Sequence, residues 1–271
     1  MFIEMNDRKA ITKPIIQATI VLAVFYAIEI ALVYLNVFPD YNILLCVDIV
    51  LRIVLGIVCL VLLSGYSKRG ESRFAVKKLF SNRIPAGAWL VLIPLIVYII
   101  APFIKLFTAY AFIEKIKAAI VIIFIQQFAV GFFEEVLHRG LLMNGLLMHN
   151  TKTVKQRLFS VFIAGAFFGL SHALNIFFGE NPLAQVPSCI LWGMFIAAVY
   201  MLSDNLLLVM LLHAFSDLNF RIVDYLFGYA AEAPLCQAVE VTCNVIDYVV
   251  LPVTAILICI FYDKLKGKAK A

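Results

Sequence analysis

Charge is what this sequence has little of. Asp, Glu, Lys and Arg make up 14% of its 271 residues, where a soluble domain carries about a quarter. That shortage excludes a disordered chain and a nucleic-acid-binding protein. It also argues against a water-soluble enzyme, because so little polar surface cannot cover a folded exterior in water. The sequence contains no low-complexity linker, no second polar domain and no internal repeat. It lacks the alternating ten-residue segments of an outer-membrane barrel. No small-x-small cleavage site follows the first apolar stretch, so that stretch is expected to stay as a span rather than leave as a signal peptide.

In place of charge stand apolar residues, 64% of the chain, with a mean hydropathy of +1.00. Residues 84–104 and 181–203 contain no Asp, Glu, Lys or Arg, and 158–179 holds only His172 as an ionisable group. A hydrocarbon core about 30 Å thick takes roughly 20 apolar residues of helix, and backbone amides in lipid must be satisfied within the segment. The expected fold is therefore all-α, a polytopic membrane bundle of about eight transmembrane helices forming a single membrane domain over 1–271. The spans are placed near 14–35, 41–66, 85–107, 116–149, 158–178, 184–203, 205–227 and 244–262. The sixth is short if it starts after Pro187, and could instead be re-entrant.

The net charge of +5 follows topology. With both termini cytoplasmic, the inner pieces hold sixteen of the 22 Lys and Arg: Arg8, Lys9, Lys13, Lys68, Arg69, Arg73, Lys77, Lys78, Arg83, Lys152, Lys155, Arg157, Lys264, Lys266, Lys268 and Lys270. Only Lys105, Lys115 and Lys117 fall on or near an outer loop. Such enrichment orients spans during insertion. Cys46, Cys59, Cys189 and Cys259 read as small apolar fillers within spans. Cys236 and Cys243 fall in an expected outer loop, where they could form a disulfide.

Some charges lie where lipid should exclude them. Glu29, Asp247 and the pair Asp48 and Arg52 read as structural; the pair is four residues apart and can self-neutralise on one helix face. The run GFFEEVLHRGLL at 131–142 is different, because it sets two carboxylates, a histidine and an arginine inside an apolar helix. Ionisable groups at membrane depth mark a functional site by default. Glu134 with His138, and Glu135 with Arg139, each share a helix face, whereas Glu134 and Glu135 point about 100° apart. One division lets Arg139 neutralise Glu135 and leaves Glu134 facing a cavity as a general base. A buried Glu–Arg pair that serves packing alone is the bland alternative.

Two later spans each add a histidine. His172 follows Phe168 by four and precedes Asn175 by three; His213 precedes Asp217 by four. A carboxylate one turn from a histidine can take its ring proton and fix the tautomer. Taken singly, either histidine reads first as a hydrogen-bonded core residue. Depth connects them: at 1.5 Å per residue Glu134, His172 and His213 lie about 22, 21 and 12 Å from the inner ends of their spans. All three could therefore meet in one cavity within the membrane.

These three patterns, Glu134-Glu135 with Arg139, Phe168 with His172, and His213 with Asp217, resemble the motifs of the CPBP intramembrane proteases. That family is named for CAAX-protein and bacteriocin processing and is also called ABI. The resemblance covers the stretch from the fourth to the seventh span, with the motifs inside 116–227. It implies an endopeptidase that hydrolyses a peptide bond of a membrane-associated or lipid-modified protein. By that resemblance Glu134 is the general base, His172 helps position water, and His213 with Asp217 stabilises the oxyanion. Glu135 and Arg139 would hold the site together, and Asn175 would support it. Where the family's eukaryotic members carry Asn, this sequence has Asp217. It is either protonated, or orients His213, or binds a metal, and the second is favoured.

A single divalent metal is left open. Two histidines and a glutamate (Glu134, His172, His213) would suit a catalytic zinc, yet no H-E-x-x-H helix occurs. Water activation without a metal is the favoured alternative. Two other classes compete with a protease: a non-catalytic scaffold or immunity protein, and a proton-coupled transporter, which usually shows repeated halves. The expected partners are membrane lipid and a membrane-bound peptide or protein, and nucleic acid is not among them. The expected location is the cytoplasmic membrane of a bacterium, where a secreted peptide or bacteriocin is a more natural substrate than a prenylated protein.

Overall fold

Backbone amides without access to water must bond along their own segment, and the chain meets this demand with eight long helices among the described residues. A computed structural model describes residues 5–38, 40–68, 89–108, 110–147, 152–226 and 234–267. Helix α1 covers Met5–Tyr34, α2 Tyr41–Lys68, α3 Trp89–Thr108 and α4 Tyr110–Glu135. Helix α4 continues as a π-helix over Val136–Met143 and closes with an α-turn, Asn144–Leu147. Next come α5, Val154–Ser171, with a 3-10 extension His172–Phe178, then α6, Pro182–Ser203, and α7, Leu206–Leu226. Helix α8 starts as Pro234–Val245, loosens to a π-helix over Ile246–Val250 and resumes as Leu251–Leu265.

The fold is thus the expected all-α polytopic bundle. Six helices are long and apolar enough to cross a membrane: those containing Thr12–Tyr34, Tyr41–Tyr66, Ile120–Leu146, Val154–Phe178, Pro182–Ser203 and Pro234–Leu265. Helix α3 contributes a shorter apolar stretch, Ile96–Thr108, and α7 carries His213, Asp217, Arg221 and Asp224 along its length. The start of the third span (85–88) and seven of the orienting basic residues lie outside the described residues. Those residues are Arg69, Arg73, Lys77, Lys78, Arg83, Lys268 and Lys270.

Helix ends follow the local sequence. Asp40 accepts from the amides of Asn42 and Ile43 at 2.8 and 3.1 Å, giving α2 its start. Thr153 and Gln156 form a reciprocal capping box on α5. Asn181 caps α6 with Pro182 in its first turn, and Pro187 lies inside the helix. The sixth span is therefore a continuous helix and not a short or re-entrant piece.

Three expectations need correction. The eighth span begins at Pro234, ten residues before the expected start. Cys236, Val239 and Cys243 recur at helical spacing and are buried, with Val239 and Cys243 packing against Ala101 of α3. The cysteines therefore lie on a helix and not in a loop, and both thiols are free. Seven residues of helix separate them by about 10 Å, beyond the roughly 7 Å that a disulfide can span. Lys105, expected on or near an outer loop, is instead buried in the last turn of α3. Its Nζ donates to the Asn219 carbonyl at 3.1 Å and pairs with Glu240.

Close approach between helices places the interior. Gly165 and Gly169, four apart, let α5 lie against α6: a Cβ on Gly169 would stand 2.7 Å from the Ile190 nitrogen and 2.8 Å from the Val186 oxygen. Small residues at this spacing are how membrane helices come together. Gly131 does the same for α4 and α7, where a Cβ would lie 2.6 Å from the Met210 carbonyl oxygen. The obstacle there is backbone, which cannot rotate aside. Gly131→Ala is therefore expected to push α7 off α4 and to destabilise the fold by about 1–3 kcal/mol. Thermal unfolding in detergent, compared with an alanine substitution at an exposed site such as Val61→Ala, measures it.

Candidate active site

The site is built on the last turn of the α-helical part of α4. Glu134 and Glu135 end that part, and the π-helix starts at Val136. A π segment shifts the register of the residues after it, and such segments are frequent at functional sites. Glu135 and Arg139 keep the pairing expected from their spacing, with Nε 3.1 Å from Oε2 and both side chains fully buried. His138 does not meet the Glu134 carboxylate; its Nδ1 lies 2.8 Å from the Glu134 carbonyl oxygen. Its ring packs edge-on against Phe167 and Phe168.

Glu134 is held differently at its two oxygens. Oε1 accepts from Arg52 Nη1 of α2 at 3.2 Å. Oε2 is buried without a hydrogen-bond partner and stands 3.9 Å from Nε2 of both His172 and His213. One carboxylate oxygen thus faces two imidazole nitrogens across a gap that a single water spans, since a polar separation beyond about 3.5 Å is the size of a water-mediated contact.

Each histidine is fixed through its other nitrogen. His172 Nδ1 lies 2.8 Å from the Phe168 carbonyl oxygen. A proton shared with that carbonyl leaves Nε2 as the acceptor. His213 Nδ1 lies 2.7 Å from Glu135 Oε1, while Asp217 Oδ2 is 3.4 Å from its Nε2. Asp217 thus makes the ring contact its spacing anticipates, on the same side of His213 as the gap, and Glu135 holds the other nitrogen at shorter range. Residue spacing finds partners one turn apart on a helix but cannot reveal a partner supplied by another helix.

Phe168 is the spacer of the site. Its ring centroid lies 4.6 Å from that of His172, 5.0 Å from His138 and 5.6 Å from His213, with the Arg139 guanidinium carbon 4.8 Å above its face. Arg139 also donates to the Gly193 carbonyl of α6 at 3.2 Å. Asn175 stands apart from the carboxylates: it accepts from Tyr26 Oη at 3.2 Å and donates to Gln185 at 3.1 Å, joining the 3-10 stretch to α1 and α6. The sequence-derived set therefore converges, Glu134, Glu135, Arg139, His172, His213 and Asp217 together, with Asn175 one layer out.

Two residues not assigned to the site reach it. Arg52 contacts Glu134 directly, and Asp48 holds Arg52 Nε at 2.7 Å. Their signal in the sequence was charge at membrane depth, but their spacing equally describes a self-contained pair. A cavity of about 610 Å³ between α1 and α2 is lined by Ile28, Leu32, Val47, Val50 and other largely apolar side chains, and by none of the candidate site residues.

Glu134, His172 and His213 are donors of the kind zinc takes. Among the described residues, however, no three His, Cys, Asp or Glu side chains are grouped so as to hold a metal. The other oxygen of Glu134 already carries a cation, Arg52. Glu134 Oε2, His172 Nε2 and His213 Nε2 are the atoms that would hold a metal.

The two carboxylates should differ in their structural weight. Removing the charge partner of Glu135 with Arg139→Met leaves a buried carboxylate half-compensated, at a cost of about 3–5 kcal/mol. Glu134→Gln keeps the shape and leaves no ion stranded in the interior, so its effect on stability should be below about 1 kcal/mol. Unfolding titrations of the two variants in detergent are expected to separate in that order.

Comparison with known families bears on the stretch that holds these residues. No curated protein and no solved structure matches the chain. Residues 116–219 match the family model described as type II CAAX prenyl endopeptidase Rce1-like. Glu134, Glu135, Arg139, Phe168, His172, His213 and Asp217 all fall inside that match, so this part of the chain is similar to the CAAX-protease family that its three motifs resemble.

Proposed function

We propose that the protein is an intramembrane endopeptidase that cleaves a membrane-associated or lipid-modified peptide by glutamate-activated water. The family match supports CAAX-type protease activity in general terms. The observation that carries the finer reading is Glu134 Oε2, buried, unpartnered and 3.9 Å from Nε2 of two histidines on two other helices.

In this reading a water between these groups donates one proton to Glu134 Oε2 and the other to His172 Nε2, which turns an oxygen lone pair toward the substrate carbonyl. Attack forms the carbon–oxygen bond as Glu134 takes the proton. His213, with carboxylates on both sides of its ring, donates from Nε2 to the developing oxyanion. Asp217, 3.4 Å from that nitrogen, orients it. Glu134 then returns its proton to the leaving nitrogen as the carbon–nitrogen bond breaks, and the second water proton passes by way of His172 Nε2 to the released amine, yielding a carboxylate and an ammonium group. Glu135 and Arg139 hold the helix turn that presents these groups, and Asn175 ties the His172 segment to its neighbours. This reading routes no step through a metal; Glu134, His172 and His213 are the residues that would hold one.

The partners in this reading are membrane lipid and a membrane-bound peptide or protein, with no role for nucleic acid. If the source is bacterial, the location is the cytoplasmic membrane and a secreted-peptide or bacteriocin precursor is the natural substrate there. Comparing the membrane peptides of cells with and without the protein identifies the substrate by the fragment that disappears.

Glu134→Gln is then expected to lower its cleavage by about 10²–10⁴-fold at unchanged protein abundance. Retained function in that variant would indicate a scaffold instead. Activity lost to a chelator and regained with zinc would overturn the metal-free route.

A further inference from the structure

The contact between Arg52 and Glu134 has no role in the reaction just described. It joins α2, outside the family-matched stretch, to the one carboxylate oxygen that does not face the histidines. The guanidinium is not free to move. Nε is fixed by Asp48 Oδ1 at 2.7 Å, and Asp48 Oδ2 in turn accepts from Gln126 Nε2 of α4 at 2.8 Å. The guanidinium carbon sits 4.5 Å from the centre of the Phe25 ring of α1, and that ring packs on Phe133, the residue before Glu134. Three helices therefore fix one guanidinium, and the side chains of Arg52 and Glu134 are each only 14% exposed.

We propose that Arg52 is a positioning residue for the reaction: it holds Glu134 Oε1, so that Oε2 is the free base facing His172 and His213. The inference rests on Glu134 acting as the general base. A bond to one oxygen fixes the rotation of the carboxylate, and misplacement of a catalytic group by about 1 Å can cost about 10²-fold in rate. Asp48 serves the same end indirectly. By occupying Nε it directs the Nη1 side of the fork at Glu134.

The groups that face Glu134 are Arg52 from α2, His172 from the α5 extension and His213 from α7; behind Arg52 stand Asp48 and, from α1, Glu29, and beyond His213 stands Asp217. Of these, only Arg52 is a permanent cation in contact with Glu134.

The test uses the full chain in lipid vesicles and two readouts. Infrared difference spectra at fixed pH report the carboxylate stretches of Glu134, identified by their loss in Glu134→Gln. In Arg52→Gln the separation of the symmetric and antisymmetric stretches is expected to change as the bond to one oxygen is lost, and to return toward the wild-type value in Arg52→Lys. Cleavage of a quenched farnesylated CAAX peptide is the second readout. There, Arg52→Gln should lower kcat by about 10²-fold and leave KM little changed, with partial rescue by Arg52→Lys. Loss of stability alone would lower the active fraction without moving the stretches. Glu134 bands identical in wild type and Arg52→Gln overturn the proposal. If the bands shift as expected while the wild-type protein fails to cleave either this peptide or the precursor found in cells, the positioning role stands and the protease reading falls.

Discussion

Everything in this structure turns on keeping two adjacent carboxylates inside a helix that crosses a membrane. A charge at that depth is tolerated only with a partner at hand, and Glu134 and Glu135 satisfy the requirement separately. Glu135 takes Arg139 from its own helix and His213 from α7. Glu134 takes Arg52 from α2. Because neighbouring residues on a helix point about 100° apart, the two carboxylates address different neighbours, and each neighbour must lie close enough to answer. The packing of α2 and α7 on either side of α4 is thus imposed by charge as well as by apolar contact.

Small residues make that packing possible. Gly131 lets the backbone of α7 approach α4 one turn before the carboxylates, and Gly165 and Gly169 bring α5 against α6. Phe168, between those two glycines' faces and the histidines, then fills the middle of the site and spaces three imidazole rings around itself. Small residues allow the helices to touch and one large ring keeps the reactive groups apart. In lipid no hydrophobic driving force favours helix over tail, so shape and polar contact carry the specificity of this arrangement.

Much of this was legible in the sequence because membrane burial makes polar residues conspicuous. Glu134, Glu135, Arg139, His172 and His213 stood out against apolar surroundings, and their depths, counted along each span, agreed well enough to expect a meeting. Helical spacing also gave the Glu135–Arg139 and Asp48–Arg52 pairs correctly. Spacing reports contacts within a helix, however, and is silent on which helices face each other. That is why the Arg52–Glu134 and Glu135–His213 contacts were not foreseen, and why Lys105 was placed near a loop although Glu240 and the Asn219 carbonyl hold it inside. Cys236 and Cys243 were misplaced for a related reason. The polar residues Gln237, Glu240 and Thr242 make the first turns of α8 look like a loop, while the buried stripe Cys236, Val239 and Cys243 makes them a helix.

The asymmetry of the two carboxylates also locates where reactivity comes from. The local sequence of α4 distinguishes Glu134 from Glu135 only by what stands one turn on, His138 for the first and Arg139 for the second. The rest of the difference is the set of helices around them. Glu135 has one oxygen 2.7 Å from His213 Nδ1 and the other in a 3.1 Å ion pair with Arg139 that lacks hydrogen-bond geometry, and it has no exposure, so it is spent on structure. Glu134 has one oxygen engaged and one left over, and the one left over faces the histidines. Two of the three side chains that face it, His172 and His213, come from the stretch that matches the CAAX-protease family, and the third, Arg52, comes from outside it. The family-matched stretch therefore supplies the reacting groups but not the cation beside them, and α2 belongs to the site as much as the helices that carry its motifs.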